Sequence, residues 1–210
     1  MRIVVSEFSS LDGVVQAPGG AEEDTEGGFT HGGWSMPYFD PEVLGGAIDA
    51  LMGETEALLF GARTWRAMAA AWPERGGDGD GFTDRMNSIP KHVASRTLTA
   101  ADLTWRGSAL LPADDAIGAV RRLREDSGAG AGGVLQVMGS ASLATQLAEH
   151  DLVDEYQLAL EPVLLGGGKG VFPADGRARP LELVSATTSP TGVLVCRYRV
   201  VRDGAAPGGA

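Results

Sequence analysis

The chain has 210 residues, 43% of them hydrophobic and 21% charged, which suffices for one well-buried core and lies outside the range of disordered chains. Its net charge of −11, with no run of Lys or Arg set against it, excludes nucleic acid as the expected partner. The lone Cys196 forms no internal disulfide, and His31, His92 and His150 lack the spacing of a zinc set, so no metal site is expected.

Residues 2–8 read as a buried first strand. The apolar stretch Ile3-Val4-Val5 is too short for a signal peptide and no run approaches a membrane span, so a cytoplasmic protein is expected. Ser10-Leu11-Asp12-Gly13 follows, in which Asp12 serves equally as turn chemistry or as a ligand-facing acid. Residues 17–33 are glycine-rich and acidic and read as a mobile surface loop or a lid. Trp34, Tyr38 and Phe39 then cluster ahead of a helix over roughly 42–53. They form either a packed loop or the wall of a pocket for a flat ligand. Asp40 before Pro41 is an N-cap followed by a first-turn proline.

Residues 57–60 form a second buried strand that opens through Gly61 onto a short helix, with Arg63 and Thr64 placed to meet a phosphate. Residues 73–88 read as a loop and 91–95 as a third strand ending in Ser95-Arg96-Thr97; Thr104 and Trp105 suggest a further short strand. An amphipathic helix spans 114–126. The Gly-Ala-Gly-Ala-Gly-Gly run at 128–133 follows a helix and precedes a strand, the reverse of a dinucleotide fingerprint, and reads as a linker.

At 134–143 an apolar strand stops at Gly139 and a helix begins directly after Ser140, an arrangement that aims free backbone N–H groups at an anion. A strand at 155–160 follows. The run Gly166-Gly167-Gly168-Lys169-Gly170 is not a phosphate-binding P-loop, because Gly170 stands where Ser or Thr belongs. Residues 181–187 and 193–201 form a closing hairpin, and 203–210 a flexible tail, leaving one domain over 1–202.

Taken in order, Ser10-Leu11-Asp12-Gly13, Leu59-Phe60-Gly61-Ala62-Arg63-Thr64-Trp65, Ser95-Arg96-Thr97-Leu98 and Val137-Met138-Gly139-Ser140 resemble the dihydrofolate reductase-like superfamily. Within it the chain is most similar to stand-alone relatives of the reductase domain of bacterial riboflavin biosynthesis. Asp154-Glu155 and the stretch from Pro162 through Gly168 to Phe172-Pro173 fit the same group, so the resemblance covers about residues 2–201.

The resemblance implies an α/β, three-layer, dihydrofolate reductase-like fold, with a mixed, mostly parallel central sheet and an antiparallel C-terminal hairpin. It also implies NADPH as cofactor and a homodimer. Gly61, Arg63 and Thr64 would approach the pyrophosphate from one side, and Gly139, Ser140, Ala141 and Ser142 from the other. Ser95, Arg96 and Thr97 would surround the 2′-phosphate, where a guanidinium between two hydroxyls suits a dianion.

The carboxylate that holds the pterin in true dihydrofolate reductases falls here at about Gly45 or Gly46, with Glu42 and Asp49 one turn away, which puts folate reduction in doubt. The chain also lacks the Cys and His motifs of the zinc deaminase often fused to riboflavin-pathway reductases. The expected activity is therefore hydride transfer from NADPH to a small pterin-like, ribosylaminopyrimidinone-like or carbonyl substrate. Asp12 and Asp40 are the candidate proton-relay or substrate acids, and Trp34 and Tyr38 the pocket walls. The alternative is a nucleotide- or flavin-binding protein of the same fold without turnover.

Overall fold

Ile3, Val4 and Val5 are all fully buried, although successive strand residues face opposite sides. Their strand must therefore be covered on both faces, and the structure supplies those covers. The computed structural model describes residues 1–75, 81–126 and 133–202. The glycine run at 76–80, all of the linker but Gly133, and the tail 203–210 lie outside the described residues.

The strands are β1 (Arg2–Ser10), β2 (Thr55–Gly61), β3 (Lys91–Ala94), β4 (Ser108–Leu110), β5 (Val134–Met138), β6 (Glu155–Glu161), β7 (Leu181–Thr188) and β8 (Leu194–Val200). They form one eight-stranded sheet in the order β4-β3-β2-β5-β1-β6-β8-β7. All pairs from β4 to β6 are parallel, and β8 pairs antiparallel with both β6 and β7. This is the mostly parallel sheet with a closing antiparallel hairpin that the resemblance implies.

Among the described residues five α-helices cover the sheet: α1 (Gly46–Glu54), α2 (Ala62–Ala71), α3 (Gly81–Ser88), α4 (Ala116–Asp126) and α5 (Ala141–Glu149). On one face Val120 of α4 and Leu143, Ala144 and Leu147 of α5 pack on Ile3, Val5, Leu59, Leu135 and Val137. On the other, Met52 of α1, Trp65 of α2 and Met86 of α3 pack on Leu58, Phe60 and Val93, while Leu51 meets Val4 and Val134. Alternate residues of one strand thus feed two cores, and three layers result.

Two local readings change. Residues 81–88 are a helix, not loop: its glycine- and aspartate-rich approach masks a segment whose Thr83 and Met86 are buried, and tertiary packing outweighs weak local propensity. The short strand lies at 108–110 instead of 104–105. Trp105 is buried ahead of it, donating from its indole nitrogen to Asn87 Oδ1 at 2.7 Å. Ahead of α1, Asp40 caps as expected, its Oδ1 accepting from Val43 N–H at 2.6 Å. The turn that follows is wide, however, with Gly45 N–H reaching the Asp40 carbonyl.

Candidate active site

Strands β2 and β5 are neighbours, yet the helices that leave them go to opposite faces, α2 to one side and α5 to the other. In an open parallel sheet such a divergence leaves a crevice beyond the strands' carboxyl ends, the usual place for a ligand. The two turns bounding this crevice interlock. Gly61 N–H donates to Ser140 Oγ at 2.8 Å. Gly139 has φ +65°, and a Cβ there would lie 3.0 Å from Thr64 Cγ2, so positive φ and close approach both call for glycine.

Because the Ser140 hydroxyl is turned to Gly61, α5 starts without a side-chain cap, and α2 starts uncapped as well. The first amide N–H groups of a helix have no intrahelical partner and favour an anion. Both helix starts line a cavity of about 1100 Å³. That exceeds the roughly 300–1,000 Å³ of ordinary small-molecule sites and leaves space for more than one small molecule. Away from the helix starts the wall is largely apolar, with Met36, Phe39, Leu44, Ile48 and Val195.

The acidic loop borders this cavity and is fastened down. Gln16 donates to the carbonyls of Asp24 and Glu26, both at 3.0 Å. Asp24 and Glu26 each pair with both Arg63 and Lys169. Burial works against the charge of Asp24, but Lys169 and Arg63 hold it below its ordinary range. Lys169, then Arg63, does the same for Glu26. A cation in the first turn of α2 opposes the helix dipole, and these carboxylates offset that penalty.

Of the residues picked out from sequence, Gly61, Arg63, Thr64, Gly139, Ser140, Ala141 and Ser142 all line the cavity. Ser95, Arg96 and Thr97 follow β3, whose Ala94 pairs with Gly61, so they stand at the same sheet edge but outside the cavity wall. Ser95 Oγ accepts from the N–H groups of Thr97 and Leu98.

Asp12 and Asp40 do not line the cavity. Asp12 accepts from Ser10 Oγ at 2.6 Å and from the N–H of Gly166 at 2.8 Å, contacts that hold its carboxyl down at about 2. It is an ionised clamp on the glycine loop, without a proton to give at neutral pH. Trp34 is buried and donates to the Gln16 carbonyl at 2.7 Å, and the Tyr38 carbonyl accepts from Thr191. Both lie outside the wall, and the aromatic cluster instead contributes Phe39 to it.

Two acids, Glu7 in the cavity wall and Glu161 beside it, escaped the sequence reading. Glu7 lines the cavity from the middle of β1 at 6% exposure, and its Oε1 is buried with no partner. Burial, and then the charge of Glu23, push its carboxyl well above the usual range. Asp49 of α1 also reaches the wall, although counting from the family pattern places the acid nearer Gly45.

Glu161, at the end of β6, is fully buried, with Oε1 accepting from the cavity residue Ser35 at 2.6 Å and Oε2 unpartnered. Burial raises its carboxyl to about 7, against the Ser35 hydrogen bond. A folded-state value above the unfolded one gives stability that is complete below the unfolded value and lost as pH rises through about 7. The melting temperature of the wild type should therefore fall between mildly acidic and mildly alkaline buffer. Glu161→Gln should make that fall shallower, Glu7 supplying what remains. An unchanged slope in Glu161→Gln would remove Glu161 as its source.

The family model for the RibD C-terminal domain matches residues 2–195. An uncharacterized protein of Bacillus subtilis, YyaP, is 26% identical over 202 residues, covering 94% of both chains. Among solved structures, a putative riboflavin biosynthesis protein from Shewanella sp. PV-4 superposes with a TM-score of 0.67 at 18% identity, over 96% of this chain and 100% of its own. A pyrimidine reductase-like protein from Corynebacterium diphtheriae gives 0.63 at 17% identity, over 96% and 92%. At such identities the superpositions carry the fold.

Proposed function

The chain belongs to the RibD C-terminal domain family, and on that premise we propose that it is an NADPH-dependent reductase acting on a small, flat heterocyclic or carbonyl compound. The observation that carries this reading is the pair of uncapped helix starts, α2 and α5, interlocked through Gly61 and Ser140 at the wall of one large cavity. Two such termini suit the paired phosphates of a dinucleotide, and Gly139 keeps the backbone free of a side chain there.

NADPH supplies the hydride when bound. The protein's part is binding and orientation: Arg63 and Thr64 with the N-terminus of α2 on one side of the pyrophosphate, Gly139 to Ser142 on the other, and Ser95, Arg96 and Thr97 about the 2′-phosphate. The apolar wall around Met36, Phe39 and Ile48 suits a flat ring and excludes water from it. The same reading takes residues 1–202 as one domain, working in the cytoplasm as a homodimer.

The test is direct. The purified protein should bind NADPH and consume it, read by loss of the reduced-nicotinamide absorbance, with one class among pterins, ribosylaminopyrimidines, quinones and flavins. Failure to bind NADPH would overturn the proposal.

A further inference from the structure

Glu7 is placed where folding alone gives no reason for an acid. It lies on β1, paired with β6 and one residue past the end of β5, and is almost wholly buried. Its register neighbour on β6 is the buried Leu158, and its own exposure is 6%. One carboxyl oxygen is sealed off without a hydrogen-bond partner, while the residue forms part of the cavity wall. A buried polar atom left unpaired costs stability, so an apolar residue would serve the fold better. Sites where a local rule is broken without structural return are where function is to be sought.

We propose that Glu7 is the cavity's general acid, delivering a proton to the nitrogen or oxygen of a ligand's C=N or C=O bond as the adjoining carbon is reduced. This rests on the reductase reading. The step adds one hydride and one proton. The substrate carbon gains a C–H bond with the electron pair given up by a dihydronicotinamide, which is oxidised. The heteroatom gains the proton as the O–H bond of Glu7 breaks, and the carboxylate left behind takes a proton from water entering the cavity.

The surroundings suit an acid held neutral until needed. Glu23 is the charge that acts on Glu7, and it opposes ionisation. The wall's other acids, Asp24, Glu26 and Asp49, have the same sign. Its cations are Arg63, Arg75 and Lys169, of which Arg63 and Lys169 are already paired with Asp24 and Glu26. Asp12, ionised and outside the wall, competes poorly for the role.

Four measurements decide the matter. In a Glu161→Gln background, where Glu7 is the remaining buried carboxyl without a cation partner among the described residues, infrared spectra at neutral pH should show a protonated-carboxyl band that Glu7→Gln removes. Glu7→Gln should melt no lower than the parent at mildly alkaline pH, because it removes a burden. With NADPH and whichever compound of the panel the wild type reduces, Glu7→Gln should lower turnover by roughly 10²–10⁴-fold, leaving NADPH affinity within about twofold. The wild-type rate should also fall at high pH, a limb readable without any variant.

An ionised Glu7, a variant that melts lower, or undiminished turnover in Glu7→Gln each overturns the assignment while the reductase reading stands. A wild type that binds NADPH but reduces nothing in the panel overturns both.

Discussion

Glu155→Ala should destabilise the fold by about 3–5 kcal/mol, the cost of breaking a buried ion pair from one side. In a chain of this size that is a fall in melting temperature of roughly 10 °C. Glu155 is 2% exposed at the start of β6, on the sheet edge opposite the cavity. It accepts from Arg2 Nη1 at 2.8 Å and from Arg197 Nε at 2.7 Å. Both arginines also reach Glu54 at the end of α1, and Arg197 holds the Glu54 carboxyl below its ordinary range against the pull of burial.

Four charges thus tie together β1, β6, β8 and the C-terminal end of α1. Removing the most buried one leaves the mostly buried Arg197 with Glu54 alone. Chemical denaturation of Glu155→Ala, Arg197→Met and the double variant should show a coupling of about 1–3 kcal/mol between the two sites. Additive losses would show that Glu155 acts through packing instead of through its charge.

The same residue shows what a motif can and cannot say. Asp154-Glu155 is readable in the sequence as part of a family pattern, and nothing in it distinguishes a site from a brace. The structure makes both residues braces: Asp154 receives Ile3 N–H at 2.8 Å and pairs with Arg124 and Arg202. The strands β1, β2, β5 and β6 are legible because they lie inside the sheet and must be apolar on both faces. Helix α3 is not, because its stability comes from Met86 joining a core with Met52, Leu58, Phe60 and Trp105, residues set apart from it in the chain. Lys91 is hidden for the same reason. A strand lysine reads as an outward charge, yet here it is fully buried, its ammonium donating to the carbonyls of Asn87, Ile89 and Arg106.

At the site, glycine turns between an apolar run and a helix are strong local signals, and the two such turns in the chain meet at one cavity. Glu7 gives no comparable signal. Ser6-Glu7-Phe8 looks like ordinary alternation, and only the sheet order, with β1 between β5 and β6, turns its outward position into an inward one. Asp49 reaches the wall from α1, about one turn beyond the place where counting from the family pattern looks for an acid. Asp12 and Asp40 have good local partners, so their carboxylates are already committed to backbone N–H groups.

Arg63 and Arg96 should separate by which cofactor each one affects. The reductase reading puts Arg63 beside the pyrophosphate, shared by NADH and NADPH, and Arg96 beside the 2′-phosphate, which only NADPH carries. Each loss of a charge-assisted contact is worth on the order of 1.5–3 kcal/mol, roughly tenfold to a hundredfold in affinity. Arg63→Ala should therefore weaken both cofactors to a similar degree, somewhat less than the full contact, because Arg63 leaves its pairs with Asp24 and Glu26 to reach a phosphate.

Arg96→Ala should lower the NADPH-to-NADH affinity ratio by that tenfold to hundredfold while leaving NADH untouched. The exposed position of Arg96 after β3, beside the end of β2 but outside the cavity wall, suits a contact to a projecting phosphate more than to the buried dinucleotide core. Fluorescence titration of the two variants with both cofactors checks the pair. Equal losses of NADH and NADPH in Arg96→Ala would move Arg96 away from the 2′-phosphate. An unchanged affinity ratio with no loss of either would leave it an ordinary strand-end charge, and the selectivity of the site would then have to come from the Ser95 and Thr97 hydroxyls and backbone N–H groups.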